Sequence, residues 1–317
     1  MAVLAGGHKI ALDRHEPDSD LNFVSHAHSD HTSGIRKGKG TLASGITKAL
    51  LECRGKKITD AEIPKGVRLL NAGHMLGSRQ LYAESESSGF SIVYTGDYLM
   101  QESYAAEPIE IKEADVLLID STYPHPGIAF EDRNEVISAI QFYASYKAGR
   151  GIVLFGAYSM GKAQELVKIL NEKGIVPFVD EKIGSINKIY QSFGVKLEWN
   201  QFSEMRNENF VGIVSMPKLA EMKLELEKRT GRRVFTAVAT GWAKVTTFNT
   251  DVQFALSDHA DFSQALEYID ICNPKLIYTI GSNSGTFAMF LQRHCHKASP
   301  LFQGAIERLG TAISRYK

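Results

Sequence analysis

Short apolar runs punctuate this chain, and the way they alternate with polar stretches changes along its length. In the first 124 residues the runs are four or five residues long: Leu21-Asn22-Phe23-Val24, Val67-Arg68-Leu69-Leu70, Phe90-Ser91-Ile92-Val93 and the unbroken Val116-Leu117-Leu118-Ile119. Runs of that length, ended by polar residues or glycine, predict strands. Between them, 46–53 followed by Gly55 predicts a helix with a glycine stop, and Leu76-Gly77-Ser78 predicts a turn. From 125 to 243 the pattern becomes regular. Helices are expected at 131–147 and 161–173, and strands at 151–155, 175–179, 210–214 and 234–239. Strands alternating with helices predict a small parallel sheet covered by helices. The rest, 244–317, is expected to hold strands near 252–256 and 276–280 and three amphipathic helices. Pro124-His125-Pro126-Gly127 marks a domain boundary.

Composition narrows the class. With 317 residues, 36 basic and 36 acidic side chains, the chain has no net charge, so polyanion binding would have to come from local patches. Three scattered cysteines, Cys53, Cys272 and Cys295, build no disulfide or zinc framework and suit a reducing compartment. No apolar run approaches membrane-spanning length, and the first seven residues are too short for a signal peptide. The expectation is a soluble, intracellular protein of the cytoplasm with no membrane partner.

Candidate chemistry is concentrated in Ser25-His26-Ala27-His28-Ser29-Asp30-His31. Alternation along an extended segment sends His26 and His28 to the same side, and the following turn could carry Asp30 and His31 toward a second point. Imidazole nitrogens with a carboxylate suit zinc, or a borderline metal such as manganese or iron. The plain alternative is a solvated polar loop, which this spacing argues against. Two further strand ends carry ligand-type side chains: Asn71-Ala72-Gly73-His74 and Tyr94-Thr95-Gly96-Asp97.

The pattern H-x-H-x-D-H resembles the signature of the metallo-β-lactamase superfamily. The resemblance implies an α/β fold, the αβ/βα sandwich, with a metal site at the sheet edge. It also implies that His26, His28 and His74 hold a first metal, that Asp30 and His31 hold a second, and that Asp97 bridges. Asp13 matches an early aspartate that supports the metal loop.

Asp120-Ser121-Thr122-Tyr123 before the regular β/α segment, and Ser257-Asp258-His259 after it, resemble the β-CASP branch of that superfamily, whose members are nucleases with an inserted domain. The organisation implied is a first part of the metallo-β-lactamase domain at 1–124, an inserted β-CASP domain at 125–243 and a second part at 244–317. The branch usually has a late histidine, and Ile280 stands in its place. Asp120 and Ile280 both side with the Artemis-type and crosslink-repair 5′ DNA exonucleases rather than with RNA-processing members. Without the late histidine, the second metal should bind more weakly than the first zinc, and manganese or magnesium could occupy it.

Gly156-Ala157-Tyr158-Ser159-Met160-Gly161-Lys162 ends a strand and starts a helix. Backbone N–H groups there, with a hydroxyl and an ammonium nearby, make a phosphate cradle. An ordinary strand-to-helix turn is the bland alternative. The segment resembles the one that grips a terminal 5′-phosphate in the DNA-type nucleases, which implies that Tyr158, Ser159, Gly161 and Lys162, helped by Ser121 and Thr122, seat that phosphate. The expected function is a metal-dependent nuclease, a 5′-directed exonuclease on single-stranded DNA, with Asp30 orienting water and His259, held by Asp120, as general acid. In a second view His259 is a metal ligand. A ribonuclease of the same branch and a small-molecule metallohydrolase are the alternatives.

Overall fold

The unbroken apolar run after Asp115 forms the strand Val116–Asp120, buried on both faces. Val116 and Leu118 face a core shared with Ile10, Leu12, Phe23 and Leu42. Leu117 and Ile119 face the opposite way, against Tyr268, Ile269, Phe287 and Leu291. A strand buried on both sides must be apolar at every position, and each such side chain contributes roughly 1.5–3 kcal/mol of burial. This is a computed structural model, and it describes residues 1–85 and 87–301.

Two units emerge. The first comprises residues 1–102, 107–129 and the described residues from His259 onward. Its larger sheet has the order Ala298–Pro300, Leu276–Ile280, Val116–Asp120, Ser91–Tyr94, Arg79–Glu84, Val67–Asn71. The first four strands run parallel, and the last two are antiparallel. Helices Phe262–Cys272 and Ser284–Arg293 cover one face of this sheet. The other face packs on a five-stranded sheet of Ala2–Ala5, His8–Leu12, Leu21–Phe23, Gly40–Leu42 and Thr59–Asp60. Two sheets face to face with helices outside fit the αβ/βα sandwich. Strands ending at Tyr94, Asp120 and Ile280 run parallel, so the loops that follow them emerge at one edge, where ligands gather in such sheets.

The second unit, residues 103–106 and 130–258, is built on a six-stranded, all-parallel sheet. Its order is Asn200–Gln201, Phe178–Val179, Val211–Ser215, Ile152–Ala157, Val234–Ala239, Val252–Phe254. Helices Arg133–Ala148, Lys162–Asn171, Glu181–Ser192 and Leu219–Thr230 belong to the same unit. Its boundaries differ from the expected 125 and 243. The Pro-Gly stretch turns within the first unit, Ile128 N–H donating to the His125 carbonyl at 2.8 Å. The strand at Val252–Phe254 joins the second unit's sheet, with Val252 opposite Ala237. Asp251 fixes that pairing by accepting from the Thr236 N–H at 2.6 Å and its hydroxyl at 2.9 Å. Two of the three helices expected after residue 244 are Phe262–Cys272 and Ser284–Arg293; residues 302–317 lie outside the described residues.

Candidate metal centre

The strand Leu21–Phe23 delivers the histidine-rich segment to the edge of the first unit, where Ser29–His31 closes a short 3-10 turn. His26 and His28 do share a side: His26 Nε2 lies 3.0 Å from His28 Nδ1. His74, carried by the loop after Val67–Asn71, brings its Nε2 to 3.1 Å from the same His28 nitrogen. Asp97 Oδ2 stands 3.5 Å from His26 Nε2 and 3.8 Å from His74 Nε2. These four side chains each offer one donor atom, all within 4.8 Å of one another.

Buried neighbours orient the rings. Asp13 accepts from the Ser25 N–H, the Ser25 hydroxyl, the Tyr94 hydroxyl and His31 Nδ1, each at 2.7 Å. Because the Ser25 hydroxyl donates to Asp13, it accepts from His26 Nδ1 at 2.9 Å. That bond leaves the His26 Nε2 lone pair pointing at His28 and Asp97, as a ligand requires. Burial pushes His26 well below the ordinary histidine range, helped by the neighbouring imidazoles. His31 behaves oppositely. Burial pulls it down, but Asp97 and Asp13 outweigh that and hold it well above its usual value. Its Nε2 lies 3.3 Å from Asp97 and 3.6 Å from Asp30, whose carboxylate is 77% exposed. Asp97 itself is held well below the carboxylate range: burial opposes ionisation, and His31 and His259 overcome it.

A second group shares Asp97. Asp97, Asp120 and His259 also bring donor atoms within 4.8 Å. His259 Nδ1 donates to Asp120 Oδ2 at 3.0 Å, and His259 Nε2 lies 3.8 Å from Asp97 Oδ2. Asp120 Oδ1 in turn accepts from the Thr122 N–H at 2.9 Å and its hydroxyl at 2.7 Å. Ile280 pairs with Asp120 across the sheet. Gly281 follows at φ +115°, and a Cβ there would come within 3.1 Å of Asp120 Oδ1.

The structure thus brings together His26, His28, His74, Asp97, Asp120 and His259, with Asp30 and His31 alongside. Ser121 and Thr122 have other work: the buried Ser121 hydroxyl donates to the Ile119 carbonyl, and the Thr122 hydroxyl to Asp120. Three residues of the quoted motifs to which the sequence assigns no role are Ser25, Tyr94 and Tyr123, whose ring stands edge-on 5.6 Å from His259. Ser25 and Tyr94 lie inside the quoted motifs, yet nothing in their spacing announces a hydrogen bond to Asp13.

In the second unit, the turn 158–161 leads into the helix Lys162–Asn171, with Gly161 at φ +83° and its N–H donating to Gln164 Oε1 at 2.8 Å. Tyr158 is 46% exposed, whereas Lys162 is only 1% exposed. The Lys162 ammonium donates to Glu165 at 3.0 Å and lies 3.6 Å from Asp258, so it is not the outward-facing cation a phosphate cradle at this turn calls for. Glu165 also pairs with Arg133, which donates to the Ser257 carbonyl at 2.5 Å.

Two imidazole nitrogens 3.0 and 3.1 Å from the His28 nitrogen, with a carboxylate beside them and all four donors within 4.8 Å, fit a single small divalent cation. Two nitrogens on one tetrahedral zinc stand roughly 3.3 Å apart, given Zn–N bonds of about 2.0–2.1 Å. No family model matches the chain. A probable DNA ligase of Opitutus terrae is 30% identical over 298 residues, covering 89% of this chain and 28% of that protein. The DNA cross-link repair protein SNM1 of Arabidopsis thaliana is 23% identical over 310 residues, covering 83% of this chain and 62% of that protein. The 5′ exonuclease Apollo of Gallus gallus is 26% identical over 310 residues, covering 90% and 64%. The chain therefore spans less than two thirds of each of these relatives. Among solved structures, a protein of unknown function from Enterococcus faecalis V583 superposes with a TM-score of 0.59 at 12% identity, covering 92% of this chain and 82% of the other. The ligand pattern, its convergence at one sheet edge and these relatives together place the chain in the metallo-β-lactamase superfamily, and within it the chain belongs to the β-CASP branch.

Proposed function

We propose that this protein is a metal-dependent phosphodiesterase acting on polynucleotides, a 5′-directed exonuclease on single-stranded DNA of the DNA-repair type. The observation that carries this reading is the meeting of His26, His28, His74 and Asp97 beside the Asp120–His259 pair. The relatives bearing 5′ exonuclease and DNA cross-link repair names support it. We take residues 130–258 as the inserted β-CASP domain, and zinc as the metal held by His26, His28 and His74, with Asp97 shared. Asp30, His31 and Asp97 are the residues for a second, weaker site that manganese or magnesium could fill. The cytoplasm is the proposed compartment, and no helix among the described residues is long and apolar enough to cross a membrane.

A divalent cation at such a centre lowers the pKa of water toward neutrality and neutralises charge on phosphoryl oxygens. The chain's own residues do the rest. Asp30, exposed at the rim, accepts a hydrogen bond from the attacking water and orients it; the proton the water gives up as its oxygen bonds to phosphorus passes to solvent, and the bond from phosphorus to the leaving oxygen breaks. His259, its Nδ1–H fixed by Asp120, presents Nε2 to the leaving oxygen and donates the proton that oxygen needs. Thr122 holds Asp120 in place from its other side. For the terminal phosphate, Tyr158, Ser159 and the Gly161 turn are the proposed seat, with Lys162 at the start of the helix that follows, its ammonium on Glu165 and 3.6 Å from Asp258.

The test is incubation of metal-loaded protein with end-labelled DNA and RNA of equal sequence, each with and without a 5′-phosphate, followed by sizing of the products. The reading expects mononucleotide release from 5′-phosphorylated single-stranded DNA, abolished by chelator. Faster cutting of the RNA would make the protein a ribonuclease of the same branch. Loss of neither polymer would overturn the assignment.

A further inference from the structure

The outer face of the helix Arg133–Ala148 carries a column of planar groups that the hydrolytic centre does not use. Phe142 and Tyr146, one turn apart, lie with ring centroids 5.6 Å apart and planes 14° from parallel. The Arg150 guanidinium continues the column, 3.7 Å from the Tyr146 centroid, and donates to the Tyr146 carbonyl at 2.9 Å. Phe142 is 69% exposed and Tyr146 46%. Ser138, Ala139 and Ser145, exposed on the same face, are too short to cover the rings.

Cations gather around this column. The Lys147 ammonium lies 5.7 Å from the Tyr146 ring and 4.6 Å from the Phe235 ring, and the exposed Arg233 guanidinium lies 4.6 Å from that same Phe235 ring. The helix's one acidic residue, Glu135, sits about two turns before Phe142. Asp251, across the sheet, is engaged with Thr236. Two cations, Arg150 and Lys147, therefore lie against the exposed Tyr146 ring, and Lys147 shares the Phe235 ring with Arg233 on a protein with no net charge.

We propose that this column is a second contact surface for a single-stranded polynucleotide, separate in composition and purpose from the metal centre. A base stacks on the open face of Phe142, and Arg150, Lys147 and Arg233 attract the phosphates. Aromatic faces bind bases with little regard to sequence, and nearby cations add salt-dependent affinity. Protein-binding patches are enriched in aromatic rings and arginine but depleted in lysine, serine and alanine, and it is Lys147, Ser138, Ala139 and Ser145 that border these rings. The identity of the polymer rests on the proposed nuclease reading.

The test is fluorescence anisotropy of the whole chain with oligothymidylates of about 30 and about 6 nucleotides in chelator, where nothing is cut. The expected result is that Phe142→Ala/Tyr146→Ala weakens binding of the long strand about tenfold or more, and that the single variant Phe142→Trp keeps it at the wild-type level. Arg150→Glu should reduce the salt slope by about one. Hydrolysis of the short strand by metal-loaded protein should be unchanged in all of these variants. Equal affinity of wild type and double variant, or no binding of the long strand by wild type, would overturn the proposal. So would a changed oligomeric state at unchanged affinity, which assigns the face to a second copy of the chain. If binding falls as expected but no polynucleotide is ever cut, the surface stands and the nuclease reading falls.

Discussion

Asp13 takes no direct place among the converging donors, yet one carboxylate accepts four hydrogen bonds that set their geometry. It fixes Ser25, which fixes the His26 tautomer, and it holds His31 directly. Its φ of +57° is a left-handed conformation that asparagine also tolerates. Asp13→Asn therefore keeps the backbone and removes the charge. Metal affinity, read by competition with a chromogenic chelator, should fall roughly 10- to 100-fold; unchanged affinity would mean that the rings orient themselves. His259→Ala separates the two roles open to that residue. As general acid, its loss should slow hydrolysis by roughly 10²–10⁴ while metal content stays the same. If one metal equivalent disappears from elemental analysis of the variant, His259 is a ligand.

Element ends do the positioning. Ser44 caps the helix Gly45–Cys53 by accepting from the Thr47 N–H at 3.0 Å, and its hydroxyl donates to the Gly77 carbonyl at 2.6 Å. The same residue therefore starts a helix and pins the turn after His74. Ser44→Ala should cost about 0.5–2 kcal/mol in a urea titration and loosen metal binding alongside. In the second unit, Glu165 is buried between Arg133 and Lys162. Burial raises its pKa, and the two cations outweigh that, holding it at about 2 against an ordinary 4.5. A folded value below the unfolded one stabilises the fold in full above pH 4.5, and that stability drains away as the pH falls toward 2. Glu165→Gln should flatten this acid limb in denaturation curves. It should also destabilise the protein by about 3–5 kcal/mol at neutral pH, because Arg133 and Lys162 lose their partner. Strands with two buried faces were legible from their unbroken apolar runs, as at Val116–Asp120. Arg79–Glu84 was not. Its start is polar, and its Gln80 is buried only because Tyr268 and the carbonyls of Asn71 and Glu110 satisfy it, which are partners distant in sequence.

For the whole molecule, the legible part was which ligand-type residues gather at one edge. Ligand-type residues at strand ends meet because parallel strands share an edge, so motif and order suffice to anticipate His74 and Asp97 beside His26 and His28. The unit boundaries were less legible, because Val252–Phe254 has no local mark to say which sheet it joins. Asp251 decides that through Thr236. Lys162 misled for a related reason: a lysine at a helix start looks exposed until its buried partners, Glu165 and Asp258, are placed. The central claim is that one metal centre, built on His26, His28 and His74, powers phosphodiester hydrolysis. It is tested most directly by titrating chelator-stripped protein with zinc while following hydrolysis of 5′-phosphorylated single-stranded DNA and bound metal in the same samples. Hydrolysis should be absent at the start, rise in step with occupancy, and remain absent in His28→Ala, which folds but fails to fill the centre. Undiminished hydrolysis by the stripped protein, or by His28→Ala without bound metal, would contradict the account.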